Sequence, residues 1–155
     1  MSDEWPKVGR LAGVDFGTVR VGIAVCDPQQ TMSGPLTVYA RRNRAADAGW
    51  FLDLARREEI VAWVLGLPVH LDGRESQKSQ QARQFGAWLQ ETTGKPVRYF
   101  DERFSTAEAE EALLAAGLTS KRRKERRDML AAQMMLQAFL ESSHADGSQP
   151  LGLDD

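Results

Sequence analysis

The chain has few of the residues that build redox and soft-metal sites. Cysteine occurs once, at Cys26, and histidine twice, at His70 and His144. This excludes an internal disulfide, a multi-cysteine zinc site and a His-rich metal centre. No apolar run approaches the ~20 residues that span a bilayer, and the opening Met1-Ser-Asp-Glu-Trp-Pro-Lys7 has the wrong charges for a signal peptide. The expectation is a cytosolic, cytoplasmic protein with no membrane partner. Internal repeats and domain-length linkers are also missing.

What is present suits one folded unit: 155 residues, 42% hydrophobic and 27% charged, enough for a sizeable core and cramped for two domains. Residues 1–9 read as a polar lead-in, 10–141 as the folded domain, and the Ser, Gly, Asp and Pro tail 142–155 as disordered. Two apolar runs, Arg10-Leu-Ala-Gly-Val-Asp15 and Arg20-Val-Gly-Ile-Ala-Val-Cys26, are joined at Asp15-Phe16-Gly17 as in a hairpin. In the second run Val21, Ile23 and Val25 alternate with Gly22, Ala24 and Cys26, so one side is bulky and something packs closely on the small side. A third strand is expected at 36–40, after the Ser33-Gly-Pro35 turn, and a helix at 45–58. The continuous apolar run 60–67 reads as a strand buried on both faces, as in a parallel sheet. A helix at 75–92 stopped by Gly94 and Pro96, a strand at 97–100, a helix opened by the capping box Ser105-Thr-Ala-Glu108 and ending near 116, and a last helix at 121–141 complete the pattern. The fold class is α/β: a mixed five-stranded sheet, three antiparallel strands followed by parallel ones, flanked by helices.

Three acidic positions fall where apolar periodicity would place core. Asp15 ends the first strand, and Asp101 and Glu102 end the fifth. Asp128 heads a helical stripe with Ala131, Ala132, Met135 and Phe139, and so points the way the core residues point. Each has a bland reading: Asp15 as a turn former, Asp128 as a first-turn acid favoured by the helix dipole. If the first strand lies beside the parallel strands, their ends bring Asp15 and Glu102 to one sheet edge, where a crossing helix supplies Asp128. Three such carboxylates repel unless they share a cation, and oxygen-only ligation favours Mg²⁺ or Mn²⁺. Such ions serve in-line phosphodiester hydrolysis without a nucleophilic side chain.

The net charge of −2 conceals an asymmetry. Lys121-Arg-Arg-Lys-Glu-Arg-Arg127 carries +5, leaving −7 for everything else. A solvated helix face would account for the run alone. Directly before Asp128, however, Lys121, Arg122, Arg123, Lys124, Arg126 and Arg127 are placed to hold phosphates flanking a scissile one, with Arg20, Arg103 and the Arg41 to Arg44 cluster extending the track. The implied partner is nucleic acid, with precursor rRNA and branched DNA both open.

Val14-Asp-Phe-Gly17 followed by Val21-Gly-Ile-Ala-Val25, then Gly66-Leu-Pro68 with Asp72-Gly73, Asp101-Glu-Arg-Phe-Ser-Thr106, and Lys124 and Asp128 before Ala131-Ala132, resemble in order and spacing the YqgF (RuvX) family. The match runs from residue 10 to about 140. It implies a ribonuclease H-like fold related to the RuvC resolvases, a divalent-metal nuclease site, and a role either in maturing the 5′ end of pre-16S rRNA or as a Holliday junction resolvase. By position it makes Asp15 the first-strand catalytic acid, Glu102 or its neighbour Asp101 the second, and Asp128 the helix acid. Strand alternation admits only one of Asp101 and Glu102 to the site, and the longer Glu102 is the choice here. His70 departs from the small polar residue expected in the loop after Gly66-Leu-Pro68.

Two rivals belong to other classes. An Asp-x-Gly hairpin also cradles phosphate in two-domain ATPases of related core, but 155 residues hold only one such domain. A non-catalytic nucleic-acid-binding module is the other. A homodimer would suit cleavage of a junction at two symmetric points.

Overall fold

Five strands form one mixed sheet in the order β3-β2-β1-β4-β5: β1 Arg10–Asp15, β2 Arg20–Cys26, β3 Ser33–Ala40, β4 Ile60–Leu67 and β5 Val97–Asp101. They are joined by the helices α1 Arg44–Arg57 and α2 Gln77–Thr93 and followed by α3 Ser120–Ala145. The computed structural model describes residues 5–67, 77–101 and 120–145. The helix expected at 105–116 and the loop bearing His70 and Asp72 lie outside the described residues, as does the chain beyond 145.

The first three strands pair antiparallel, and β1–β4 and β4–β5 pair parallel, so the expected sheet is the one found. Boundaries moved where tertiary pairing overrode local signals. β3 begins at Ser33 rather than at 36, because it lies at the sheet edge, where Pro35 costs no ladder hydrogen bond. α3 runs on through Ala145, so residues 142–145 belong to a helix rather than to the tail. The lead-in is also more than polar chain: Trp5 packs edge-on against Phe139 in α3, and Gln30 donates to the carbonyls of Pro6 and Gly9.

Strand alternation splits the sheet into two faces. Val14, Ile23, Trp63, Leu65 and Leu67 bury with Phe51 and Leu54 of α1 and Phe85 and Leu89 of α2. The opposite face, Leu11, Ala24, Cys26, Ala62 and Val64, is covered by α3 through Ala132, Met135, Leu136, Phe139 and Leu140. The small side of β2 is therefore the side α3 approaches. A Cβ on Gly13 would sit 2.8 Å from that of Leu136, and one on Gly22 would overlap the carbonyl oxygen of Asp128. At the sheet edge Gln137 accepts from the Ser33 N–H and hydroxyl at 2.9 and 2.8 Å, which fixes how α3 crosses the strands.

Candidate functional site

Asp15 is the last residue of β1, and alternation puts it on the face of Leu11 and Gly13, under α3. Its partner across the antiparallel ladder is Gly22. Because Gly22 has no side chain, the backbone of α3 lies directly on β2 at Asp128. A strand-end carboxylate and a helix carboxylate 113 positions downstream thus meet at one place, held by the absence of a side chain between them.

Asp128 is half-buried, and its Oδ2 accepts a hydrogen bond from Arg20 Nε at 2.9 Å in a part-buried ion pair. The hairpin tip between β1 and β2 closes tightly, since a Cβ on Gly17 would strike the Arg20 carbonyl oxygen. The Arg41 N–H donates to the Val19 carbonyl at 2.9 Å and ties the tip to the end of β3. Asp15, Thr18, Arg20, Lys78, Arg127 and Asp128 line one open cleft of about 680 Å³. Carboxylates lie beside basic groups, an arrangement in which the bases attract a phosphodiester and the carboxylate oxygens can ligate a hard cation.

The structure brings together Asp15, Asp128, Arg20 and Arg127 from the expected set. It does not bring Asp101 to them. Asp101 ends β5, separated from β1 by β4, about 10 Å at ordinary strand spacing. It also follows Val97 and Tyr99 on the α1/α2 face, whereas Phe100 packs on Phe139 of α3. Glu102 and Arg103 lie outside the described residues. Arg122, Lys124 and Arg126 are exposed on α3, Arg123 and Arg127 half-buried, and Lys121 sits in its first turn.

Arg20, expected on the substrate track, lines the cleft and is paired there with Asp128. Among the described residues, no group of three or more His, Cys, Asp or Glu is close enough together to hold a metal ion. Asp15 and Asp128 supply two oxygen donors of the kind a hard divalent cation accepts. Sequence reasoning missed Thr18, Lys78 and Gln81 in this cleft; Lys78 and Gln81, three apart on a polar helix face, carry no local sign separating them from solvated residues.

No helix among the described residues is long and apolar enough to cross a membrane. A family model described as RuvX, Holliday junction resolvase, matches residues 9–142. A protein of Rhodopirellula baltica named "Putative pre-16S rRNA nuclease" is 50% identical over 145 residues, spanning 94% of this chain and 84% of its own. One of the same name from Koribacter versatilis is 38% identical over 143 residues, spanning 92% and 94%. Among solved structures, Thermus thermophilus RuvC in complex with a Holliday junction substrate matches with TM-score 0.55 at 18% identity, over 92% of this chain and 99% of RuvC. The fowlpox virus resolvase in complex with junction DNA matches with 0.51 at 11%, over 86% and 97%. Those two likenesses concern the fold, which is RuvC-like. With the family model covering nearly the whole folded region and relatives at these identities, the chain belongs to the RuvX (YqgF) family, a family of nucleases and resolvases.

Proposed function

We propose that this chain is a divalent-metal-dependent endonuclease that hydrolyses phosphodiester bonds of structured nucleic acid, with 5′-end maturation of pre-16S rRNA in the cytoplasm as its task. The observation that carries the reading is the convergence of Asp15 and Asp128 on one cleft rimmed by Arg127 and Lys78. Asp15, Asp128 and Glu102 would hold Mg²⁺ or Mn²⁺; Glu102 is preferred to Asp101 because Asp101 shares the face of Val97 and Tyr99. When bound, the cation supplies an activated water and stabilises charge on the scissile phosphate. The remaining work is done by side chains of the chain itself. Arg127 and Lys78 hold the substrate backbone at the cleft rim, and Arg122, Arg123, Lys124 and Arg126 continue the positive track along α3. Arg20 is a positioning residue, fixing one oxygen of Asp128 and with it the orientation of that carboxylate at the cleft.

The description of the matching family favours a second substrate, the four-way DNA junction. On that reading two symmetric cuts call for two sites and hence a homodimer. Cleavage of precursor rRNA and of a four-way junction, side by side with Mg²⁺, Mn²⁺ or a chelator, tests both. Asp15→Asn, Glu102→Gln and Asp128→Asn should each abolish cleavage while leaving binding in place. Cleavage unchanged by all three, or unaffected by chelation, overturns the proposal.

A further inference from the structure

A second cleft, of about 610 Å³, opens next to the first and shares Phe16, Thr18 and Gln81 with it. Its lining includes Arg41, Arg42, Arg44, Gln84 and Trp88. The three arginines outweigh the one acid present, Asp47, whose charge is already committed. The buried Asp47 carboxylate accepts from the Tyr39 hydroxyl at 2.6 Å, the Arg42 N–H at 3.0 Å and Arg41 Nε at 3.5 Å. That anchor holds the Arg41 guanidinium against two rings, its carbon 5.4 Å from the centroid of Phe16 and 5.3 Å from that of Phe85, with 30% of the side chain still exposed. Arg42 and Arg44 are exposed, and among the described residues neither is in an ion pair. Trp88 is packed against Phe85 and Phe51 and only partly buried.

We infer that this second cleft is a subsite for single-stranded nucleic acid flanking the bond to be cut. Its chemistry is the pairing that single strands require: arginines for successive phosphates, and flat surfaces, here the ring-backed Arg41 guanidinium and Trp88, for unstacked bases. A duplex hides its base faces and could use only the charge. Continuity carries the argument further. Phe16 directly follows Asp15, so a strand leaving the acids across Phe16 meets Arg41 next, and then Arg42 and Arg44. The inference rests on the nuclease reading for its orientation, but binding alone tests it.

The probes are a labelled RNA duplex with a single-stranded flank and the same duplex blunt, bound in the presence of chelator so that no cleavage occurs. In Arg42→Ala/Arg44→Ala, the dependence of log affinity on log salt for the flanked probe should flatten by about 0.7 per lost phosphate contact. The blunt probe should change little. Arg41→Lys keeps the charge beside Asp47 but removes the plane, and should weaken the flanked probe about fivefold, the lower end for one stacked base, with its salt dependence intact. Thermal midpoints of both variants confirm folding. Equal losses on the two probes, or none on either, overturn the subsite. So does saturable binding of a mononucleotide abolished by the same variants, which would make the cleft a nucleotide pocket. Loss of flank affinity in variants of a protein that cleaves nothing would support the subsite while defeating the nuclease reading.

Discussion

Replacing Gly22 with Ala tests the contact on which the site depends. The added Cβ would overlap the carbonyl oxygen of Asp128 and lie 2.5 Å from its carbonyl carbon and 3.1 Å from its Cβ. Carbon atoms in ordinary contact sit about 3.5–4.0 Å apart, so α3 must lift from β2 by roughly 1 Å at this point. The two nearest of these atoms are backbone and the third is a Cβ, so no rotamer change relieves them. Overpacking of this kind costs about 1–3 kcal/mol. For a chain of this length that lowers the thermal midpoint by roughly 3–10 °C. The displacement also carries Asp128 away from Asp15, and misplacement by about 1 Å reduces catalysis on the order of 10²-fold. Calorimetry and single-turnover cleavage at saturating metal measure the two effects separately. Gly34→Ala is the control, because a Cβ there meets nothing within 4 Å. A Gly22→Ala protein with the midpoint and cleavage rate of the parent would refute the close approach of α3 to β2 and the site built on it.

Other perturbations read other parts of the structure. Asp47→Asn should destabilise by about 1.5–3 kcal/mol in urea at neutral pH, the range for hydrogen bonds to a charged group. Burial opposes ionisation of Asp47, yet the hydrogen bonds from Tyr39, the Arg42 N–H and Arg41 hold its pKa below the ordinary value. Its contribution is therefore full above the unfolded carboxylate pKa and lost as pH falls through the folded one, and the gap between parent and variant should close on acidification. A gap that widens in acid would contradict this sign. Asp27, whose pKa is lowered to about 2 by the Met32 N–H and by the hydroxyl and N–H of Thr31, predicts the same for Asp27→Asn. The variant should be less stable than the parent at neutral pH and approach it as pH falls from about 4 toward 2. Cys26 is buried, with its thiol pKa pushed up by that burial, so a thiol reagent should label it at the rate of unfolding; rapid labelling of the native protein would show that α3 does not cover β2.

The periodicity of the chain by itself determined its elements. Alternation along Arg20–Cys26 announced a bulky and a small face, the unbroken apolar run at Ile60–Leu67 a strand covered on both sides, and the Asp128–Phe139 stripe a helix laid on a sheet. These are local signals, since each depends on side-chain spacing of two or 3.6 residues. The acids Asp15 and Asp128 were legible as well, because a charge at the end of an apolar pattern stands out against it. What no spacing could supply was the partner of each group. Arg20 reads as one more base on a substrate track, and its pairing with Asp128 is visible only once the hairpin has closed. Alternation left one of Asp101 and Glu102 for the site, and only the packed sheet shows that Asp101 lies on the face of Val97 and Tyr99. Lys78 and the arginines at the end of β3 reach their clefts only because α2 and the start of α1 pack beside the hairpin tip. Electrostatic pairing acts through space over a few ångströms, and only the folded chain brings together charges more than a hundred residues apart.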